Sequence, residues 1–173
     1  MTAGYCLRQY GTFTGNTAKG KGGALYVEGN LDISGGSVFT SNGTTGQDGD
    51  GGAIYVAGNL KISGGTFTDN YAAGVFSDGG AIYVVGTVDM SGSVTFTGNE
   101  ATSGGRGGAV YVGGGSGGAS QIDGVTATLN FGSNGGVFYF ASGTVTVAGR
   151  SGVSLNNNTG MDGGAIYIAS GTT

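Results

Sequence analysis

A chain of 173 residues with a formal net charge of −4, 9% charged residues and no His excludes several chemistries at once. No Ser-His or Cys-His pair can form, the sparse charge suits neither nucleic acid nor an anionic membrane surface, and no run of 18 apolar residues offers itself for membrane insertion. Gly accounts for 43 residues, a content that signals disorder unless a period organises it.

A period is present. In chain order, Phe13-x-x-Asn16 comes first, followed by the hexapeptide G-G-A-L-Y-V from Gly22. The hexapeptide returns as G-G-A-I-Y-V from Gly51 and Gly79, G-G-A-V-Y-V from Gly107, G-G-V-F-Y-F from Gly135 and G-G-A-I-Y-I from Gly163. The starts are 29, 28, 28, 28 and 28 residues apart. Such spacing marks a solenoid in which each repeat buries its apolar face only against its neighbours.

The repeat from Gly51 to Asp78 reads as one coil. Ala53–Val56, Leu60–Ser63 and Thr66–Thr68 are three short strands set off by Gly/Asn turns, including one at Gly64-Gly65, and a variable loop follows Asp69-Asn70. Alternation along each strand sends Ile54, Val56, Leu60, Ile62 and Phe67 inward, with Ala53, Tyr55 and Lys61 outward. Across the repeats the third strand gives a core ladder of Phe13, Phe39, Phe67, Phe96 and Leu155. The weak coil follows Val112, where Gly113 to Gly118 is nearly all glycine, and it is expected to bulge. No helical period occurs anywhere. The expected fold is therefore all-β: a single right-handed parallel β-helix domain over residues 1–173, of about six coils with incomplete coils at both ends.

Each hexapeptide is paired with an F-x-x-N: Phe13–Asn16, Phe39–Asn42, Phe67–Asn70, Phe96–Asn99, Phe131–Asn134, and Leu155–Asn158 as a variant. This alternation of G-G-A-I and F-x-x-N resembles the passenger repeats of chlamydial polymorphic outer-membrane proteins along nearly the whole chain. The resemblance implies a β-helix displayed outside the cell or on its surface by the autotransporter route, often as an adhesin.

Four constellations are candidates for function. A polar residue precedes every double glycine: Lys21, Asp50, Asp78, Arg106, Asn134 and Asp162. It reads as a charge ladder, with a weak calcium candidate at Asp48, Asp50 and Asp78. Tyr26, Tyr55, Tyr83, Tyr111, Tyr139 and Tyr167 form an outward strip, free of charge, for lateral contact or glycan stacking. Threonines at Thr12/Thr14, Thr40, Thr66/Thr68 and Thr95/Thr97 resemble an ice-binding face, interrupted at Val38 and Ser154/Asn156. Asn16, Asn42, Asn70, Asn99 and Asn158 read as a turn ladder of stacked amides.

The two ends complement each other. Ala169-Ser170-Gly171-Thr172-Thr173 joined to Met1-Thr2-Ala3-Gly4 of another copy reproduces the segment Ala141–Gly149 closely, so one tail and the next head would complete a coil. The expectation is a non-enzymatic structural or adhesive protein, without cofactor, whose chief partner is itself in a head-to-tail filament, with a host surface or glycan as a further partner. The alternatives are a monomeric passenger or binder of ice or glycan, and a polysaccharide lyase or hydrolase using Asp48, Asp50, Asp78 and Asp123.

Overall fold

The computed structural model describes residues 4–8, 11–115, 118–148 and 150–169. Strands β1 (Gly4–Arg8), β2 (Thr12–Thr14) and β3 (Thr17–Ala18) open the stack. The next coil holds β4 (Leu25–Val27), β5 (Asn30–Ser34), β6 (Val38–Thr40) and β7 (Gly43–Thr44). The third holds β8 (Ile54–Val56), β9 (Leu60–Thr68) and β10 (Tyr71–Ala72), and the fourth β11 (Ile82–Val84), β12 (Val88–Thr97) and β13 (Glu100–Ala101). Then come β14 (Val110–Val112), β15 (Ala119–Ile122) and β16 (Val125–Thr128), followed by β17 (Phe138–Phe140), β18 (Thr144–Val147) and β19 (Ser154–Asn156), with β20 (Ile166–Ile168) last. Among the described residues there is no helix.

The strands stack into three parallel sheets: one of six (β4, β8, β11, β14, β17, β20), one of ten, and a narrow one of four (β3, β7, β10, β13). Like sits on like. Tyr83 is paired with Tyr55 and Tyr111, and Phe67 with Phe39 and Phe96. The result is a β-solenoid of about six turns with about 28 residues per turn. Its lumen is filled by Ile33, Ile54, Val56, Ile62, Phe67, Ile82, Met90, Phe96 and their neighbours, all fully buried. Each such side chain contributes roughly 1.5–3 kcal/mol by leaving water.

Three details differ from the sequence expectation. Gly64-Gly65 is no turn: β9 and β12 run on through this corner, which merges the second and third faces into the ten-stranded sheet. Ala53, Ala81 and Ala109 point into the core rather than outward. Period-two alternation does not reach back to them, because the amides of Ala53 and Ile54 share one acceptor, the Ala81 carbonyl (2.8 and 2.9 Å), and the strand begins only at Ile54. The third difference lies in the fifth coil. There the Phe column is continued by Ala127, paired with Phe96 and Leu155, and Phe131 is a partly exposed residue beyond it. Phe138 on the opposite wall fills the space above Ala127, its ring 6.2 Å from that of Phe96 and nearly perpendicular to it.

Candidate functional site

The double glycine fixes the corner on which the site is built. Its first glycine has φ between 62° and 72° in all six repeats, and a Cβ there would strike the carbonyl three residues on. The second glycine is required for another reason. A Cβ on Gly52 would run into the Gly80 carbonyl of the next coil and the backbone of Tyr71. The polar residue before the pair is thus held in line with its counterparts above and below.

That line is a hydrogen-bonded charge ladder. Lys21 Nζ lies 3.0 Å from Asp50 Oδ2, and the Asp78 amide donates to Asp50 Oδ1 at 3.1 Å. Arg106 grips Asp78 with its amide (2.7 Å), Nε (3.1 Å) and Nη2 (2.6 Å). Asn134 Nδ2 donates to Asp162 Oδ2 at 3.0 Å. Burial pushes the Asp78 carboxyl up from its ordinary value, with the Arg106 contacts pulling the other way. Burial draws the Lys21 ammonium down, but the Asp50 carboxylate beside it prevails and raises it. Asp50 and Asp78 do stack, yet their partners are Lys21 and Arg106. Among the described residues no group of three acidic, His or Cys side chains comes together to hold a metal ion, Asp48 included.

The tyrosines form a continuous pile, with ring centroids 5.1, 5.2, 4.5, 5.1 and 5.2 Å apart from Tyr26 to Tyr167. They lie outside the apolar core cluster, but the open strip expected from the sequence is not what they make. Tyr55, Tyr111 and Tyr139 are only 7–8% exposed, while Tyr26 at the end is 56% exposed. Each inner ring is covered by the rings above and below, and the ladder cations lie over them. Lys21 Nζ is 4.5 Å from the Tyr55 centroid and 5.6 Å from that of Tyr83, and the Arg106 guanidinium carbon is about 5 Å from those of Tyr111 and Tyr139. Burial pushes the phenol of Tyr83 well above its ordinary value, helped by Tyr111, Asp50 and Asp78, and that of Tyr111 likewise.

Between the two cations the column opens into a cleft of about 610 Å³. Lys21, Asp50, Asp78 and Arg106 line it in coil order together with Tyr83, and the neighbouring loops add Gln47, Asp48, Val75 and Phe76. These loops are the longest between a ladder asparagine and a double glycine: Asn42 to Gly51 and Asn70 to Gly79, against Asn130 to Gly135 and Asn158 to Gly163. That length difference was the sequence signal for the cleft. Asp123 lies elsewhere, its Oδ1 accepting from the Ser151 amide at 2.8 Å, so the four carboxylates weighed for catalysis do not share one groove.

The asparagines form an internal polar spine. In each step an amide N–H and an Nδ2 both donate to Oδ1 of the next asparagine. From Asn42 to Asn70 these distances are 3.0 and 3.0 Å, and from Asn70 to Asn99 they are 3.1 and 2.9 Å. The second Nδ2 hydrogen goes to the carbonyl of the preceding coil's phenylalanine, as from Asn70 to Phe39 (3.0 Å). The fifth member is Asn130, fully buried and bonded to Asn99 and Asn158, not Asn134. The F-x-x-N pattern does not mark this member because Ala127 stands at the phenylalanine position. The surrounding T-A-T-L-N, aligned with T-F-T-D-N at Asn70, was the available clue.

On the third face two ranks of threonine stand in register: Thr12, Val38, Thr66, Thr95, Thr126 and Thr14, Thr40, Thr68, Thr97, Thr128. Thr126 and Thr128 extend the ranks beyond the sequence expectation, since they flank Ala127 rather than a phenylalanine. Of the junction residues, Met1, Thr2, Ala3, Ser170, Gly171, Thr172 and Thr173 lie outside the described residues. Gly4 pairs with Asn30, and the Ala169 amide donates to Phe140.

The repeat geometry agrees with a comparison against protein families. Residues 11–28 and 36–57 match the Chlamydia polymorphic membrane protein repeat. Both matched segments join a ladder Asn to a G-G-A-[L/I]-Y corner, so the likeness rests on the corner and spine described above. No curated protein and no solved structure matches the chain.

Proposed function

We propose that the chain is a non-enzymatic structural and adhesive β-solenoid of a cell surface or the extracellular space, whose copies associate head to tail into a filament. The repeat similarity and the solenoid fold fit a surface passenger. The observation carrying the filament is the polarity of the spine. Every inner asparagine receives through Oδ1 from the coil before and donates to the coil after. At the two ends of the described stack, Asn16 Oδ1 and the Asn158 amide are the complementary halves of one further step, the first facing a preceding coil and the second a following one. The apolar column is likewise uncovered at the Asn158 end, with Ile168 51% and Val147 49% exposed at core positions. Electron microscopy and sedimentation of the purified chain test this. Filaments with an axial repeat of roughly six rungs at about 4.8 Å each support it, and monodisperse monomers at high concentration overturn it.

The third face supports a second activity, ice binding, through one observation: the rank Thr14, Thr40, Thr68, Thr97, Thr128 stands in unbroken register on a parallel sheet. Thermal hysteresis lost on Thr68→Lys is the expected sign, and no hysteresis in the native chain dismisses it.

A further inference from the structure

We infer that the cleft between Lys21 and Arg106 binds a neutral saccharide, and that it, rather than the tyrosine column, is the ligand-contacting part of the surface. This deepens the adhesive half of the proposed function and rests on it. Three features of the cleft lead to this ligand class.

The first is the alternation of donors and acceptors. Lys21 and Arg106 are donors with 34% and 40% of their side chains exposed, Asp48 and Gln47 are exposed acceptors at the loop, and Asp50 and Asp78 between them, 15% and 5% exposed, are held by the two cations. A vicinal diol is matched by such a lining, since each hydroxyl both donates and accepts. An anion would meet the exposed Asp48 and a cation the two exposed positive charges, so neither finds a site of one sign. The second feature is Phe76, 73% exposed beside Val75 at 52%, which places an apolar plate against a polar floor. A sugar ring presents hydroxyls at its edge and C–H groups on its faces, and it needs both surfaces together. Phe76 holds this position with φ at 58°, next to Gly104, where a Cβ would press on its ring. The third is placement: the cleft sits where the longest loops interrupt an otherwise uniform column, and insertions on one face of a solenoid commonly form its binding surface. The inner tyrosine faces are covered by neighbouring rings and cations, which leaves open aromatic surface along that column only at its ends, Tyr26 and Tyr167.

The test is saturation-transfer NMR and calorimetry on the whole chain with maltohexaose, cellohexaose and lacto-N-tetraose, alongside heparin as a charged probe. Binding of at least one neutral oligosaccharide is expected, weakened about tenfold or more by Phe76→Gly and by Asp48→Ala and left unchanged by Tyr26→Ala. Phe76→Gly accepts the positive φ, so loss of binding in a folded variant reads as loss of the plate. Absence of binding to all three neutral probes overturns the proposal, as does retention on heparin alone, or binding indifferent to Phe76 and Asp48. Filaments seen without saccharide binding defeat this inference and leave the assembly reading standing, and binding by monomers does the reverse.

Discussion

The third and fifth coils vary in opposite ways. The third keeps the interior pattern, with Leu60, Ile62, Phe67 and Asn70 all buried, and places its irregularity in the exposed loop carrying Val75 and Phe76. The fifth has a short loop but an altered interior, with Ser120 and Ala127 where other coils have an aliphatic residue and a phenylalanine, and Phe138 of the sixth coil stands next to it where other coils have an aliphatic residue. Each interior change there has a local answer. Ser120 Oγ accepts from the Val88 amide at 3.2 Å, and Phe138 fills the volume released by Ala127. A close-packed lumen forces such compensation, whereas a loop in solvent can change alone. Sequence variation is therefore tolerated most freely on the outside of the second and third coils.

The largest effect is expected from breaking the shared spine. Asn70→Ala strips the acceptor from both the amide and the Nδ2 of Asn42 and a donor from Phe39 and Asn99, all buried or nearly so. It should cost about 4 kcal/mol in urea denaturation. Next comes the compensated pair shared by the fifth and sixth coils. Phe138→Ile alone should cost about 2 kcal/mol by opening space above Ala127. Combined with Ala127→Phe, which restores the usual pattern, it should recover most of that loss, giving a coupling above about 1 kcal/mol in a double-mutant cycle. Additive costs would mean the two residues do not share one cavity.

These two experiments also mark how far the sequence could be read. Register and lumen were legible because the period returns apolar residues and double glycines to the same phase. The first face differs at Ala53 because a shared carbonyl acceptor delays the start of the strand to Ile54, a backbone event that residue type does not announce. The tyrosine strip was misjudged because stacking and the reach of Lys21 and Arg106 decide exposure, and both depend on neighbours in space. Phe131 and Asn134 were mistaken for the motif because Ala127 breaks it while keeping its geometry.

A smaller effect sharpens the same contrast. Leu129 occupies the left-handed position (φ 59°) held by Gly15 and Gly98 in other coils, and its side chain is 65% exposed. Leu129→Gly should therefore raise stability by about 0.5–1 kcal/mol, visible as an increased denaturation midpoint. The smallest effect near neutral pH concerns the tyrosines. The folded state holds the Tyr83 and Tyr111 protons above the ordinary value of 10.0. Their contribution is complete below that pH and is lost as pH rises through the higher folded values. Tyrosinate absorbance should show two late-titrating phenols, with unfolding free energy declining only above about pH 10.

The most direct test of the coil-on-coil architecture is amide exchange at the asparagine side chains, followed by nitrogen-resolved NMR. The carboxamide protons of Asn42, Asn70, Asn99 and Asn130 should exchange slowly and show contacts to the asparagine one coil away, while those of the exposed Asn157 exchange at once. Uniformly fast exchange, or contacts only to sequence neighbours, would contradict the stacked spine and with it the solenoid.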